Sequence, residues 1–245
     1  MGIFIMLGYL KANVHKFENL ETITGSSAGA VIGFFLSLGW HPDRITDAIL
    51  SIDPKTCYKP SIRTLVTKWG LTELDMLRSV LEELAGCNPT FKDIDMEFYV
   101  TAYCLTTCKT VYFSKFTHPN VHVLDTVIMS CGIPLIVKPI KYNEGLYVDG
   151  GFSELIPLQT ILDKKADECM VVRPLTDKTI PVKSPRNILD FLKILTHAIV
   201  CFMRERPVSH TYQLVDIDMT GFNAVDFNMS YEDKLKMIMY GTTIF

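Results

Sequence analysis

The chain has 245 residues, 48% of them hydrophobic and 21% charged, with 24 Lys and Arg against 27 Asp and Glu and a formal net charge of -3. That balance excludes a disordered polyelectrolyte, and the lack of a long basic run argues against a nucleic-acid partner. Length and apolar content instead fit one domain spanning residues 1–245 with a large core.

The apolar positions Ile3, Phe4, Leu7, Leu10 and Val14 recur at helical spacing, so the chain is expected to begin in or just before a helix rather than with a strand. Leu20 to Ile23 reads as a short strand. It runs into Thr24-Gly25-Ser26-Ser27-Ala28-Gly29-Ala30, after which residues 28–38 read as a helix whose small residues permit close packing on a sheet. Pro42 to Leu50 suggests a short helix with proline in its first turn. Residues 54–72 are irregular, with Pro54 and Pro60 as breakers, and residues 72–84 resume a helical period behind a Thr72-Glu73-Leu74-Asp75 cap.

Asn88-Pro89-Thr90 breaks that pattern. The aromatic and β-branched runs 97–104 and 110–113 then predict a strand hairpin. Residues 123–131 form a helical stretch stopped by Gly132-Ile133-Pro134, and Leu146-Tyr147-Val148 is a strand leading into Asp149-Gly150-Gly151. Residues 169–172 and 212–217 read as later strands, 188–204 as an amphipathic helix, and 230–240 as a closing helix capped by Ser230. Strands alternating with helices predict an α/β fold with helices on both faces of the sheet.

The seven cysteines are irregularly spaced, and Cys104 and Cys108 lack a second pair at zinc-site spacing, so reduced thiols and no metal are expected. Met1 to Leu7 lacks a positive leader and a cleavage site, position 6 is Met where a myristoylation signal needs Ser or Thr, and no stretch is a good spanning helix. The expectation is a cytoplasmic protein with at most peripheral membrane contact. Phe34, Phe35, Trp40 and the Ile62 to Trp69 segment are the candidates for that contact.

Gly25-x-Ser27-x-Gly29 is a G-x-S-x-G pentapeptide, which arises by chance in about one chain in ten of this length. Its strand-before, helix-after context is what makes Ser27 a candidate nucleophile. A serine hydroxyl needs a base. Of the six histidines, none sits at a recognisable strand end, and His118 and His122 are separated by Pro119. Asp149 follows an apolar strand, and Gly150-Gly151 permit a tight turn that lets its carboxylate reach a neighbour.

With both blocks in hand, the sequence resembles the patatin-like phospholipase family. The elbow around Ser27 matches one family motif. Leu124 through Ser130 to Pro134, then Gly145, Tyr147, Asp149, Gly150, Gly151 and Pro157, match a second. The likeness covers residues 2–160 and implies a three-layer fold around a mostly parallel sheet. It further implies lipid acyl hydrolysis by a Ser27–Asp149 dyad, without cofactor, on phospholipid or another acyl lipid at a membrane surface. Burial should raise the pKa of Asp149 so that it serves as a base.

The family's first strand and most of its glycine-rich oxyanion loop have no counterpart, leaving Gly2 and the Ala28 N–H as expected donors and suggesting an N-terminal truncation. Leu155 stands where the family commonly has Asn. The alternatives are an impaired scaffold protein, or a soluble carboxylesterase or thioesterase using the same dyad.

Overall fold

The computed structural model describes residues 2–154, 156–161, 164–165, 168–175, 184–188, 212–219 and 229–244, with isolated positions between 190 and 198 and residue 222. The expected helix over 188–204 lies largely outside these residues, as do His197, His210 and Leu155.

Helix α1 (Ile3–Ala12) opens the described chain, and its residues Phe4 to Leu10 are all buried. A helix apolar on every side must be covered on every side. Helix α8 (Tyr231–Thr242) provides one cover, at an approach so close that a Cβ on Gly8 would sit 2.1 Å from the Ile238 carbonyl oxygen. Ser230 caps α8 by accepting the Asp233 N–H at 3.1 Å, as its sequence predicts.

Strand β1 (Thr22–Gly25) leads to α2 (Ala28–Ser37), and α3 (Pro42–Ser51) follows with Pro42 in its first turn and Ile45 and Ile49 turned into the core. The irregular stretch resolves into α4 (Pro54–Cys57), α5 (Ile62–Lys68) and the short strand β2 (Gly70–Thr72). Helix α6 spans Asp75–Ala85. The expected Thr72 cap does not form: Thr72 lies in β2, where its hydroxyl accepts the Lys59 N–H, and the N-cap position falls to Leu74.

The hairpin is β3 (Glu97–Cys104) with β4 (Lys109–Phe113). Helix α7 (Val123–Ser130), β5 (Leu135–Val137), β6 (Ile140–Tyr142) and β7 (Gly145–Asp149) come next. Strands β8 (Met170–Leu175) and β9 (Gln213–Asp218) form a separate parallel pair.

The class is the expected α/β, a central sheet flanked by helices. The strand directions are a correction: the five-stranded sheet is mixed, with β1 parallel to β3 but β4 and β7 antiparallel to β3 and β6 antiparallel to β7. Short hairpin turns dictate the β3–β4 and β6–β7 pairs, because an antiparallel partner needs only a tight connection whereas a parallel one needs a crossover. Helices α2 and α7 pack on the sheet over Phe34, Phe98, Val100, Leu124 and Val127, each 1% exposed or less.

The register of β3 positions the site. Its residues Val100 to Cys104 bond β4 along one edge. Along the opposite edge, β1 runs parallel and stops with Gly25 opposite Val100, while β7 arrives from the other direction and stops with Asp149 opposite Ala102. Two strands thus end head to head, and the turns that follow them must meet.

Candidate active site

Ser27 occupies the turn between β1 and α2 with φ 53° and ψ −120°, a left-handed backbone that a non-glycine residue holds at a cost of about 1–3 kcal/mol. Its surroundings fix it there. The Ser27 N–H donates to Ser130 Oγ at 2.8 Å, and its carbonyl accepts the Ala30 N–H at 2.9 Å and the Cys131 thiol at 3.6 Å. Ala28 opens α2, so its N–H belongs to the first helical turn, whose donors lack intrahelical partners.

The two glycines of the pentapeptide differ in role. A Cβ on Gly25 would lie 2.5 Å from the Gly29 carbonyl oxygen, whereas one on Gly29 would meet nothing within 4 Å. Gly25→Ala is expected to destabilise the fold by about 3 kcal/mol. Gly29→Ala is expected to raise stability by about 0.5–1 kcal/mol, since alanine loses less entropy in a helix. Denaturant unfolding of both variants checks the contrast, and equal losses would contradict it.

Asp149 ends β7 and is 7% exposed. Its backbone N–H donates to the Gly132 carbonyl at 2.9 Å, and its Oδ1 accepts the Gly151 N–H at 2.8 Å. Burial pushes its pKa up to about 6, while the facing Ser27 hydroxyl and the Gly151 N–H pull it partly back by stabilising the carboxylate. Gly150 lies flat on Thr101, where a Cβ would sit 2.4 Å from the Thr101 carbonyl oxygen. The structure therefore brings Ser27, Asp149, Gly150 and Gly151 together.

Local sequence pattern marks Ser130-Cys131-Gly132 as a helix end and assigns it no role in the site. In the fold this tripeptide holds both sides of the site: Ser130 and Cys131 bond the Ser27 backbone, and Gly132 bonds the Asp149 backbone. The only hint in the sequence is its place in the second family-like block, because the contacts of Ser130 and Cys131 with Ser27 cross more than a hundred positions. Burial and the nearby Asp149 charge push the Cys131 thiol pKa up, which keeps it protonated as a donor.

Gly2 precedes α1 and is packed on Pro174 and Met219, and the next two residues, Ile3 and Phe4, share a cavity with Ser27 and Ala28. That cavity has a volume of about 200 Å³ and a lining that includes Val31, Ile49, Ile52, Leu74, Leu77, Leu81 and Ile133. None of the described histidines lines it. His41 caps α3, His118 stacks on Phe113 at 4.6 Å, and His122 contacts the Asn88 carbonyl. None of the six described cysteines is in a disulfide, with Cys104 buried in β3 and Cys108 exposed. No group of three His, Cys, Asp or Glu side chains suited to a metal occurs among the described residues.

A strained serine on a strand-to-helix turn, facing a buried carboxylate beside an apolar cavity, defines an α/β protein with the geometry of a nucleophile elbow. The chain belongs to the patatin-like phospholipase family, whose family model matches residues 1–162. It is 30% identical over 176 residues to "Uncharacterized protein R571" of Acanthamoeba polyphaga mimivirus, covering 67% of this chain and 59% of that one. It is 28% identical over 172 residues to "Probable lipid hydrolase 463L" of Invertebrate iridescent virus 6, covering 64% and 58%. The match thus spans less than two thirds of either relative. Among solved structures, VipD from Legionella pneumophila superposes with a TM-score of 0.61 at 14% identity, covering 99% of this chain and 63% of that one, a likeness of fold.

Proposed function

We propose that the protein is a lipid acyl hydrolase of the phospholipase A type, working through a Ser27–Asp149 dyad. The observation that carries this reading is the convergence of the strained Ser27 and the buried Asp149 beside an apolar cavity of about 200 Å³. With a pKa of about 6, Asp149 is about nine-tenths ionised at pH 7 yet more basic than an ordinary aspartate by about two units.

In the first half-reaction Ser27 Oγ attacks the ester carbonyl carbon while its proton passes to the Asp149 carboxylate. The oxyanion so formed is stabilised by N–H groups at the starts of α1 and α2, with Gly2 and Ala28 the proposed positions. Collapse breaks the ester C–O bond, and Asp149 returns the proton to the leaving alcohol or lysolipid. Asp149 then takes a proton from water as it attacks the acyl-enzyme. The Ser27 oxygen leaves and regains that proton, and the fatty acid is released.

The cavity supplies the acyl site. A cavity of about 150 Å³ holds benzene, with six carbons, so this one encloses roughly eight carbons of a chain. Each methylene buried contributes about 0.8 kcal/mol, or about fourfold in kcat/KM. Across a series of p-nitrophenyl esters, kcat/KM is expected to rise from acetyl to octanoyl and then level. A monotonic fall from acetyl would mark a soluble short-chain esterase instead, and no turnover of any ester by folded protein would favour a scaffold role.

A further inference from the structure

Residues 54–72 carry Lys55, Lys59, Arg63 and Lys68 and no acidic residue, in a chain whose net charge is −3. Within this stretch Leu65 of α5 is half-buried, while Ile62, Val66 and Trp69 are left at 57%, 72% and 65% exposure. Ile62 and Val66 fall at i and i+4 on one face of α5, and Trp69 follows as its left-handed C-cap, so the segment carries a short stripe of exposed apolar side chains. The other proposed interfacial residues do not qualify: Phe34 and Phe35 are fully buried, and Trp40 stacks on Phe35 with the Arg44 guanidinium 3.5 Å above its ring.

Lys68 is engaged by Glu73, while Lys55, Lys59 and Arg63 have no ion pair among the described residues. The excursion is pinned at its base, where Ser61 N–H donates to the Leu71 carbonyl at 2.7 Å. One of its ends belongs to the cavity wall and the other is paired to it. Pro54, Cys57 and Tyr58 line the cavity before the stripe, and after it β2 pairs with β5, whose Val137 lines the same cavity.

We propose that the Ile62–Val66–Trp69 stripe, with Lys59 and Arg63 beside it, is the face on which this protein docks to a bilayer bearing anionic lipids. Water-exposed apolar side chains flanked by unpaired cations match the two components of such a surface, acyl chains and negative headgroups. Trp69 has the amphipathic ring that settles at the headgroup level. The choice of a lipid surface as partner rests on the acyl-hydrolase reading. Docking would hold the cavity wall against the source of its substrate.

The test uses the full chain with Ser27→Ala, so that binding is read without hydrolysis, in sedimentation with phosphatidylcholine vesicles with and without phosphatidylserine. Binding is expected only when phosphatidylserine is present, with loss as salt rises from about 0.1 M to about 1 M. Tryptophan emission should shift to the blue, and Trp69→Phe should remove the shift while keeping the binding. Ile62→Ser with Val66→Ser should weaken partitioning by at least about tenfold, and Lys59→Gln with Arg63→Gln by about thirtyfold. With Ser27 intact, all three variants should hydrolyse a soluble ester as before.

Unchanged partitioning in the Ile62/Val66 double variant would overturn the proposal. So would binding indifferent to phosphatidylserine, or a concentration-dependent dimer that the double variant abolishes while vesicles go unbound. Loss of soluble-ester turnover in the parent chain would instead strike at the hydrolase reading and leave the vesicle result standing.

Discussion

Asp149→Asn is expected to lower kcat by about 10³- to 10⁴-fold while making the protein more stable at neutral pH. Asparagine keeps the shape and can still accept the Gly151 N–H that Oδ1 accepts at 2.8 Å, but it cannot take a proton from Ser27. The stability change follows from linkage. The carboxyl titrates at 3.8 when unfolded and at about 6 in the fold, so the folded state holds its proton more tightly. The stability this confers is present below pH 3.8 and is lost as pH rises through about 6. At pH 7 the buried charge therefore costs up to about 3 kcal/mol relative to a neutral group.

Thermal melts of wild type and variant should differ most at pH 7 and converge near pH 4. In the wild type, kcat/KM should climb with pH to a plateau above about 6. An asparagine variant retaining a tenth of wild-type activity would point to another base.

Ser27→Ala is expected to abolish ester hydrolysis, a loss of at least about 10⁴-fold, because the Ser27 hydroxyl is the one that hydrogen-bonds the Asp149 carboxyl. Alanine at φ 53° keeps the strain of the elbow. Glycine does not, so Ser27→Gly should be equally inactive but more stable than Ser27→Ala by about 1 kcal/mol. Steady-state assays and denaturant unfolding of the pair separate the chemical role of the hydroxyl from the backbone strain. Equal stabilities would mean that the turn stores no strain.

How much of this was visible in the sequence depended on the range of the forces involved. The elbow was legible because its glycines answer to local sterics, as Gly25 does against Gly29, and the Asp149-Gly150-Gly151 turn because two adjacent glycines mark a tight turn after an apolar strand. The apolar start of the chain likewise announced α1, and Ser230 announced α8. The strand expected over 20–23 is found at Thr22–Gly25, since Leu20 and Glu21 share its character but fall outside its register with β3.

What the sequence could not give is long-range. Thr72 was read as a cap because its pattern is right, yet pairing of β2 with β5 claims it as a strand residue. The mixed strand directions depend on which edges of β3 are free. The hold of Ser130, Cys131 and Gly132 on the dyad candidates depends on α7 arriving beside the elbow. Phe34 and Phe35 looked as suited to a membrane as Ile62 and Val66, because apolarity alone does not distinguish a core face from an exposed one. The structure separates them by burial.

The most direct measurement is the intact mass of the chain after reaction with a fluorophosphonate, for wild type and Ser27→Ala side by side. The Ser27–Asp149 reading predicts one phosphonyl adduct on the wild type, mapped to Ser27, forming faster above pH 6 than below it, and none on the variant. Labelling that persists in folded Ser27→Ala, or its absence from folded wild type, would contradict the assignment of Ser27 as the nucleophile.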